Sequence, residues 1–312
     1  MTQPKTTHDI IMIGAGPAAL TAAIYTTREE LDTVLYEKGI VGGLAATTDW
    51  IDNYPGYKDG VQGLRLADEL RGQAERFGAK IVVGEVQGLS REGDHIVVRT
   101  SDGEDQARAV LIATGSGHRK LGVPGEEAYH SRGVHYCATC DGAFYMDKRL
   151  IVVGGGNSGV QEAMFLTRFA THIDLLVRSE LKASEVLQRK LETMSDKITV
   201  HTNVTVDEIV AENDVVTGAR VTHRPTKKQQ FIGADGVFVF IGLVPNTGFL
   251  EGSGIDCDAS GLIVADANLQ TSMPGVFVAG DVRSGATMQI ASAVGDGATA
   301  ALKIRQYLET LE

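Results

Sequence analysis

Cys137 and Cys140 stand two residues apart in the stretch YCATCDG (Tyr136–Gly142), with Asp141 directly behind them. Two thiols at that spacing have three uses. They can form part of a zinc site, close a static disulfide, or open and close as electrons pass through them. His130, His135, Cys137 and Cys140 fall within eleven residues and are all possible zinc ligands. Structural zinc sites, however, usually separate their ligand pairs by a longer span, so that the metal ties two segments together. A static disulfide here would close a very small loop and gain little chain entropy. The residues therefore favour a redox dithiol, whose thiolate form attacks disulfides. Asp141 is a candidate proton carrier, with helix capping as its bland alternative. Cys257, isolated in GIDCDASG, reads as a bystander.

Such a dithiol needs a scaffold and a source of electrons. The chain has 312 residues, enough for two domains at about 150 residues each. It is 43% apolar and 22% charged, ordinary for a globular protein. Its net charge of −11 disfavours nucleic acid and anionic membrane as main partners. Three cysteines in this length make no disulfide scaffold and fit a reducing, cytoplasmic compartment. The uncharged run Ile10–Tyr25 imitates a secretory signal, but Gly14, Gly16 and Pro17 interrupt it. No run reaches ~18 apolar residues, so no membrane span is expected.

The chain repeats itself at an offset of 140. DIIMIGAGPAAL begins at Asp9 and RLIVVGGGNSGV at Arg149. Gly14 falls on Gly154, Gly16 on Gly156 and Ala19 on Gly159. A helical stretch follows each turn, Ala18–Glu30 and Ser158–Thr171, and then an apolar run, Thr33–Tyr36 and Ile173–Leu176. The first glycine of such a turn makes the bend. The second lets backbone approach a pyrophosphate, and the third, or an alanine, lets helix and strand pack closely. The helix N-terminus offers free N–H groups to phosphate. Two such turns at one fixed offset predict two dinucleotide-binding units of α/β class.

The two sites are not chemically alike. Glu37 ends the second strand of the first unit, 23 positions after Gly14, where an acid can accept bonds from ribose hydroxyls. Its equivalent in the second unit is Val177, which accepts nothing. AVLIATGSG (Ala109–Gly117) and GVFVFIG (Gly236–Gly242) read as strands that close the two units, and GVFVAGD (Gly275–Asp281) as a further strand. Asp281 can meet the first dinucleotide at a crevice formed by several strand ends. The first domain is thus expected to be discontinuous, 1–117 and 246–312, with the second inserted as 118–245 and carrying the CxxC dithiol.

This combination resembles the low-molecular-weight thioredoxin reductases over essentially the whole chain. The resemblance rests on GAGPAA (Gly14–Ala19), the pair Gly42–Gly43, DNYPGY (Asp52–Tyr57), ATG (Ala113–Gly115), CATCDG (Cys137–Gly142), GGGNSG (Gly154–Gly159) and AGDV (Ala279–Val282). It implies two Rossmann-like domains, with FAD in the first and a nicotinamide nucleotide in the second. By match of motif, FAD contacts would come from Gly14, Gly16, Pro17, Ala18, Glu37, Gly43, Asn53, Thr114, Gly115, Asp281, Gln289 and Ile290. Those of the second dinucleotide would come from Gly154, Gly156, Asn157, Ser158, Gly159, Arg178 and Lys182. Cys140 would face the flavin, Cys137 would attack the partner's disulfide, and Asp141 would serve as acid–base group. The family implies a homodimer, a thioredoxin-like protein partner and domains that rotate between two working positions. With nothing preceding the first strand, a peroxiredoxin-reducing extension is not expected.

The second site departs from the family pattern. NADPH-using members carry His-Arg-Arg after the second strand and a further arginine four residues on. Here those positions are Val177, Arg178, Ser179 and Ala183. Leu44 and Met288 also replace a usual glutamine and a frequent arginine. Two lost charge-assisted bonds at about 1.5–3 kcal/mol each predict weak use of NADPH, and no acid stands at Val177 to favour NADH. The sequence therefore leaves room for an NADPH-independent alternative. In it electrons come from NADH, ferredoxin, a deazaflavin or a second FAD bound in the GGGNSG turn, and can run from dithiol to flavin. A zinc-stabilised nucleotide sensor and a thiol oxidase are the competing classes.

Overall fold

The computed structural model describes residues 7–48, 50–51 and 53–311, and the side chains of Thr139 and Cys140 lie outside the described residues. The chain forms two compact units, 1–117 with 244–312, and 118–243. The return crossing falls two residues ahead of the boundary drawn from the sequence. Asn246 binds back to the first unit: its N–H donates to the Gly115 carbonyl at 3.0 Å and its side-chain amide to the Thr114 carbonyl at 2.9 Å.

In the first unit the strand Thr7–Ile13 sits between Thr33–Glu37 and Glu104–Ile112, all parallel. Lys80–Val83 extends the sheet on one side and Val276–Val278 pairs with Glu104–Ile112 on the other, both also parallel. The antiparallel strands Val86–Glu92 and His95–Thr100 add to the Glu104–Ile112 side. The central strands are apolar without a break because both faces are covered. Ile10 and Met12 enter one buried layer, while Ile11 and Ile13 enter the other.

The helix Pro17–Arg28 starts with proline in its first turn, where a missing N–H costs nothing. Its alanines let the C-terminal helix Ile290–Glu309 lie close by. A Cβ on Gly297 of that helix would stand 2.1 Å from the Ala18 carbonyl oxygen.

The second unit repeats the plan with a five-stranded parallel sheet. Its order is Val134–His135, Gly236–Val239, Arg149–Val153, His172–Val177 and Ile198–Thr202. The helix Asn157–Leu166 ends five residues before the sequence stretch suggested. The Thr167 hydroxyl donates to the Met164 carbonyl at 2.6 Å, and the chain turns there. An antiparallel sheet of Val204–Glu212, Val215–His223 and Lys228–Gly233, not read from the sequence, covers the other face.

The Gly297 contact yields a matched pair of variants. Gly297→Ala drives a methyl into the neighbouring helix backbone and should cost about 1–3 kcal/mol. Gly295→Ala, in the same helix but facing open space, should stabilise by up to about 1 kcal/mol through helix propensity. Urea denaturation followed by circular dichroism measures both. Equal effects would show that the close approach does not constrain the fold.

Candidate active site

The two glycine turns share one geometry. Gly14 N–H donates to the Tyr36 carbonyl at 2.7 Å, and Gly154 N–H to the Leu176 carbonyl at 3.0 Å. Gly14 has φ +100° and a Cβ there would lie 2.5 Å from the Ala113 carbonyl oxygen. For Gly154 the values are φ +149° and 2.2 Å from the Phe240 carbonyl oxygen. Neither position admits a side chain. Gly159 packs just as closely on the Gly154 carbonyl, its Cβ position 2.4 Å away. In the first unit the equivalent Ala19 is fully buried.

A cleft of about 850 Å³ opens at this turn within the first unit. Gly14, Gly16, Pro17, Ala18, Glu37, Gly43, Thr114, Gly115, Asp281 and Ile290 all line it. Asn53 and Gln289 are not among the lining residues. They pair with each other instead, the Asn53 amide donating to Gln289 Oε1 at 2.9 Å. Asp52 lies outside the described residues. Two helices open on the cleft, Pro17–Arg28 with Gly16 at its N-cap and Ile290–Glu309 with Gln289, and neither carries a side-chain cap. Their first N–H groups are left for phosphate oxygens.

Glu37 does more than wait for a ribose. Its Oε2 accepts the Ala15 N–H at 2.8 Å and its Oε1 accepts the Gly39 N–H at 2.8 Å. A carboxylate has about four acceptor sites, so about two remain. Burial pushes the Asp281 carboxyl up, with Asp296 adding to the rise. Tyr36 also lines the cleft, its hydroxyl bonded to Asp105, and burial raises it too. A dinucleotide fits this combination: pyrophosphate at the uncapped helix ends, ribose at Glu37, and apolar walls beyond.

In the second unit, the helix Asn157–Leu166 likewise has an uncapped N-terminus at Gly156. The Asn157 side chain is already engaged, its Oδ1 accepting the Ser184 N–H at 2.8 Å. Ser158 is exposed on the first turn. Lys182 and Ala183 donate their N–H groups to the Gly155 carbonyl at 2.7 and 3.1 Å, folding that segment back over the turn. Val177 is 2% exposed and packed on Gly155, whose Cβ position is 2.4 Å from Val177 Cγ1. Arg178 is exposed.

Cys137 is disulfide-bonded and Cys257 is a free, exposed thiol raised by burial and by Asp258 and Asp256. Cys137 precedes the four-residue helix Ala138–Asp141. Asp141 makes no side-chain cap. Its Oδ2 lies 2.9 Å from His135 Nδ1, although the nitrogen is off the line that a hydrogen bond needs. His135 is 5% exposed, and its Nε2 lies 2.7 Å from the Tyr145 hydroxyl. Burial pushes the imidazole down, countered in part by Asp141. Tyr145 is pushed up to about 12 by burial, with Asp141 and Asp235 adding, so its hydroxyl stays protonated beside His135 Nε2. Neighbouring Tyr136 donates to Glu126 at 2.7 Å, and that 3%-exposed carboxylate also accepts the Leu121 and Gly122 N–H groups at 2.7 and 2.6 Å. The His130 ring lies tilted at 56° to that of Tyr136, 5.5 Å between centroids. Sequence spacing placed His130 and His135 beside the cysteines as zinc candidates. Neither the Asp141–His135–Tyr145 chain nor the Glu126 anchor could be seen without the fold.

Two dinucleotide turns and a disulfide-bonded cysteine in one chain define a nucleotide-dependent disulfide oxidoreductase. The family model for pyridine nucleotide-disulphide oxidoreductases matches residues 8–297. A thioredoxin reductase from Listeria monocytogenes is 41% identical over 313 aligned positions, covering 100% of this chain and 97% of the relative. One from Bacillus subtilis is 40% identical, covering 98% and 96%. The crystal structure of Lactococcus lactis thioredoxin reductase superposes with a TM-score of 0.91 at 38% identity, covering 97% of this chain and 99% of that one. That of T. acidophilum thioredoxin reductase gives 0.90 at 35%, covering 99% and 100%. The chain belongs to the pyridine nucleotide-disulphide oxidoreductases and, within them, to the thioredoxin reductase family. It is a thioredoxin-reductase-like flavoprotein, an FAD-dependent oxidoreductase. These relatives do not favour the NADPH-independent alternative, in which electrons come from NADH, ferredoxin, a deazaflavin or a second FAD or run from dithiol to flavin.

Glu37→Ala removes both the ribose acceptor and the anchor of the glycine turn. FAD affinity should fall about 10- to 100-fold, and less in Glu37→Gln, which keeps one acceptor. Flavin absorbance retained after dialysis reads the loss. Full retention in Glu37→Ala would make the residue a solvated strand-end acid.

Proposed function

We propose that this protein uses electrons from a reduced nicotinamide nucleotide to reduce the disulfide of a thioredoxin-like protein, working as a cytoplasmic homodimer. The observation that carries the reading is Cys137, disulfide-bonded beside a short helix and in the same unit as an uncapped glycine turn. The names of the full-length relatives support the choice of protein substrate. The dimer and the compartment rest on the family resemblance.

In the reduced dithiol, the Cys137 thiolate attacks one sulfur of the partner's disulfide. A mixed disulfide forms and the other partner sulfur leaves as a thiolate. Cys140 then attacks Cys137 Sγ, releasing the second partner sulfur and closing the Cys137–Cys140 disulfide. The partner leaves with two thiols after taking up two protons, one of which Asp141 can carry. His135, held neutral by burial and paired with the Tyr145 hydroxyl, stands beside the Asp141 carboxylate. Glu126 fixes Tyr136, the residue before the attacking thiol, from a buried position. Gly14, Gly16, Glu37 and Asp281 would hold FAD, which when bound supplies the two electrons that reopen the disulfide.

The test is Cys137→Ser. Turnover of a thioredoxin-like disulfide should be abolished, because the thiolate that attacks the partner is lost. The visible spectrum should gain a long-wavelength band from the Cys140 thiolate beside oxidised flavin. Undiminished turnover, or stoichiometric zinc in a protein without flavin absorbance, would overturn the proposal.

A further inference from the structure

The second dinucleotide site lacks two of the arginines that its family pattern would supply, yet the fold brings another from a different element. Arg224 follows the strand Val215–His223, at the start of the turn HRPTKK. Its guanidinium Nη1 donates to the backbone carbonyl of Arg178 at 3.1 Å. Arg178 directly follows the strand His172–Val177, which ends beside the glycine turn.

The placement of Arg224 is fixed by more than that bond. Its backbone N–H donates to the Asn203 carbonyl at 2.8 Å, and the Asn203 N–H donates to the Ser179 carbonyl at 2.9 Å. Asn203 adopts φ +57°, a left-handed conformation that asparagine tolerates better than most residues. Pro225 follows and restrains Arg224 to extended backbone. The turn is closed by the Lys227 N–H on the His223 carbonyl at 2.8 Å. The hairpin tip is thus latched to the end of the strand whose last residue would face an adenosine ribose.

The charge is arranged for an anion. Arg178, Lys182 and Arg224 are all exposed, and among the described residues none of the three has an ion-pair partner. Glu180, the acid in this segment, is exposed and pairs with none of them. This concentration of unpaired cations stands in a chain of net charge −11. One of the five Arg224 N–H donors is used on the carbonyl, so four remain. Val177 offers a bare ribose no acceptor, whereas guanidinium groups bind phosphate with charge-assisted bonds.

We propose that Arg224, together with Arg178, forms the 2′-phosphate clamp of the second site and makes this protein selective for the phosphorylated nicotinamide nucleotide. This rests on reading that site as the nicotinamide nucleotide site. It replaces the expectation of weak NADPH use, since one of the missing cations is supplied from the neighbouring hairpin rather than from the strand end itself.

The test uses equilibrium binding rather than turnover. Isothermal titration of the flavin-loaded protein with adenosine 2′,5′-bisphosphate and with 5′-AMP gives a ratio of affinities that isolates the 2′-phosphate. The wild type should favour the bisphosphate by about 100-fold, falling toward about 10-fold in Arg224→Ala. Arg224→Gln, which keeps a donor for the Arg178 carbonyl but no charge, should behave like Arg224→Ala. The preference should also shrink as salt is raised. An unchanged ratio in both variants, or a wild-type ratio near one, would overturn the clamp while leaving the nucleotide site in place. Failure of both nucleotides to bind would overturn the clamp together with the reading of the site.

Discussion

Everything in this molecule hangs from a backbone approach that leaves no room for a Cβ. At Gly14 and again at Gly154 the chain leaves a central strand and passes within van der Waals limits of a carbonyl on the next parallel strand. That passage sets the start of the helix, and the helix start sets where free N–H groups point. The uncapped helix N-terminus of each unit follows from this crowding. The two turns superimpose in their hydrogen bonds as well as in their sequence. Gly14 to Tyr36 and Gly154 to Leu176 are the same contact, 140 residues apart.

On this shared frame, single residues divide the labour. Glu37 ties its own glycine turn in place and retains acceptor capacity, so the first unit is equipped for a firmly held ribose. Val177, at the matching position, seals against Gly155 and contributes only packing. Whatever discriminates ligands in the second unit has to come from outside the repeat. The antiparallel strands Val204–Glu212, Val215–His223 and Lys228–Gly233 deliver Arg224 to that place. A site that loses its acid is more exchangeable than one whose acid also holds the turn.

The fold was legible in the sequence because its decisive residues are intolerant of replacement. Only glycine fits at Gly14 and Gly154, only apolar residues fill strands covered on both faces, and the 140-residue offset repeats both signals. The antiparallel strands were harder to see, since their edges are half exposed and their pattern is diluted: Lys228–Gly233 is largely solvent-facing. Around the cysteines, His130 and His135 stood close enough in sequence to be possible metal ligands, although the spacing favoured a redox dithiol. The fold sends His135 to Asp141 and Tyr145, and His130 to the ring of Tyr136. Asn53 and Gln289, 236 residues apart, form a pair that no local pattern could announce. Arg224 was invisible for the same reason, because an arginine before a proline in a polar turn looks like any solvated turn.

The split of the first unit has a consequence for the order in which the chain becomes able to fold. Residues 118–243 are contiguous, whereas the unit around them needs the strand Val276–Val278 and the helix whose Gly297 rests on Ala18. During synthesis the inserted unit is complete in the emerging chain before the enclosing one has received its last strand and its covering helix. Until then the buried face of Pro17–Arg28 lacks its neighbour.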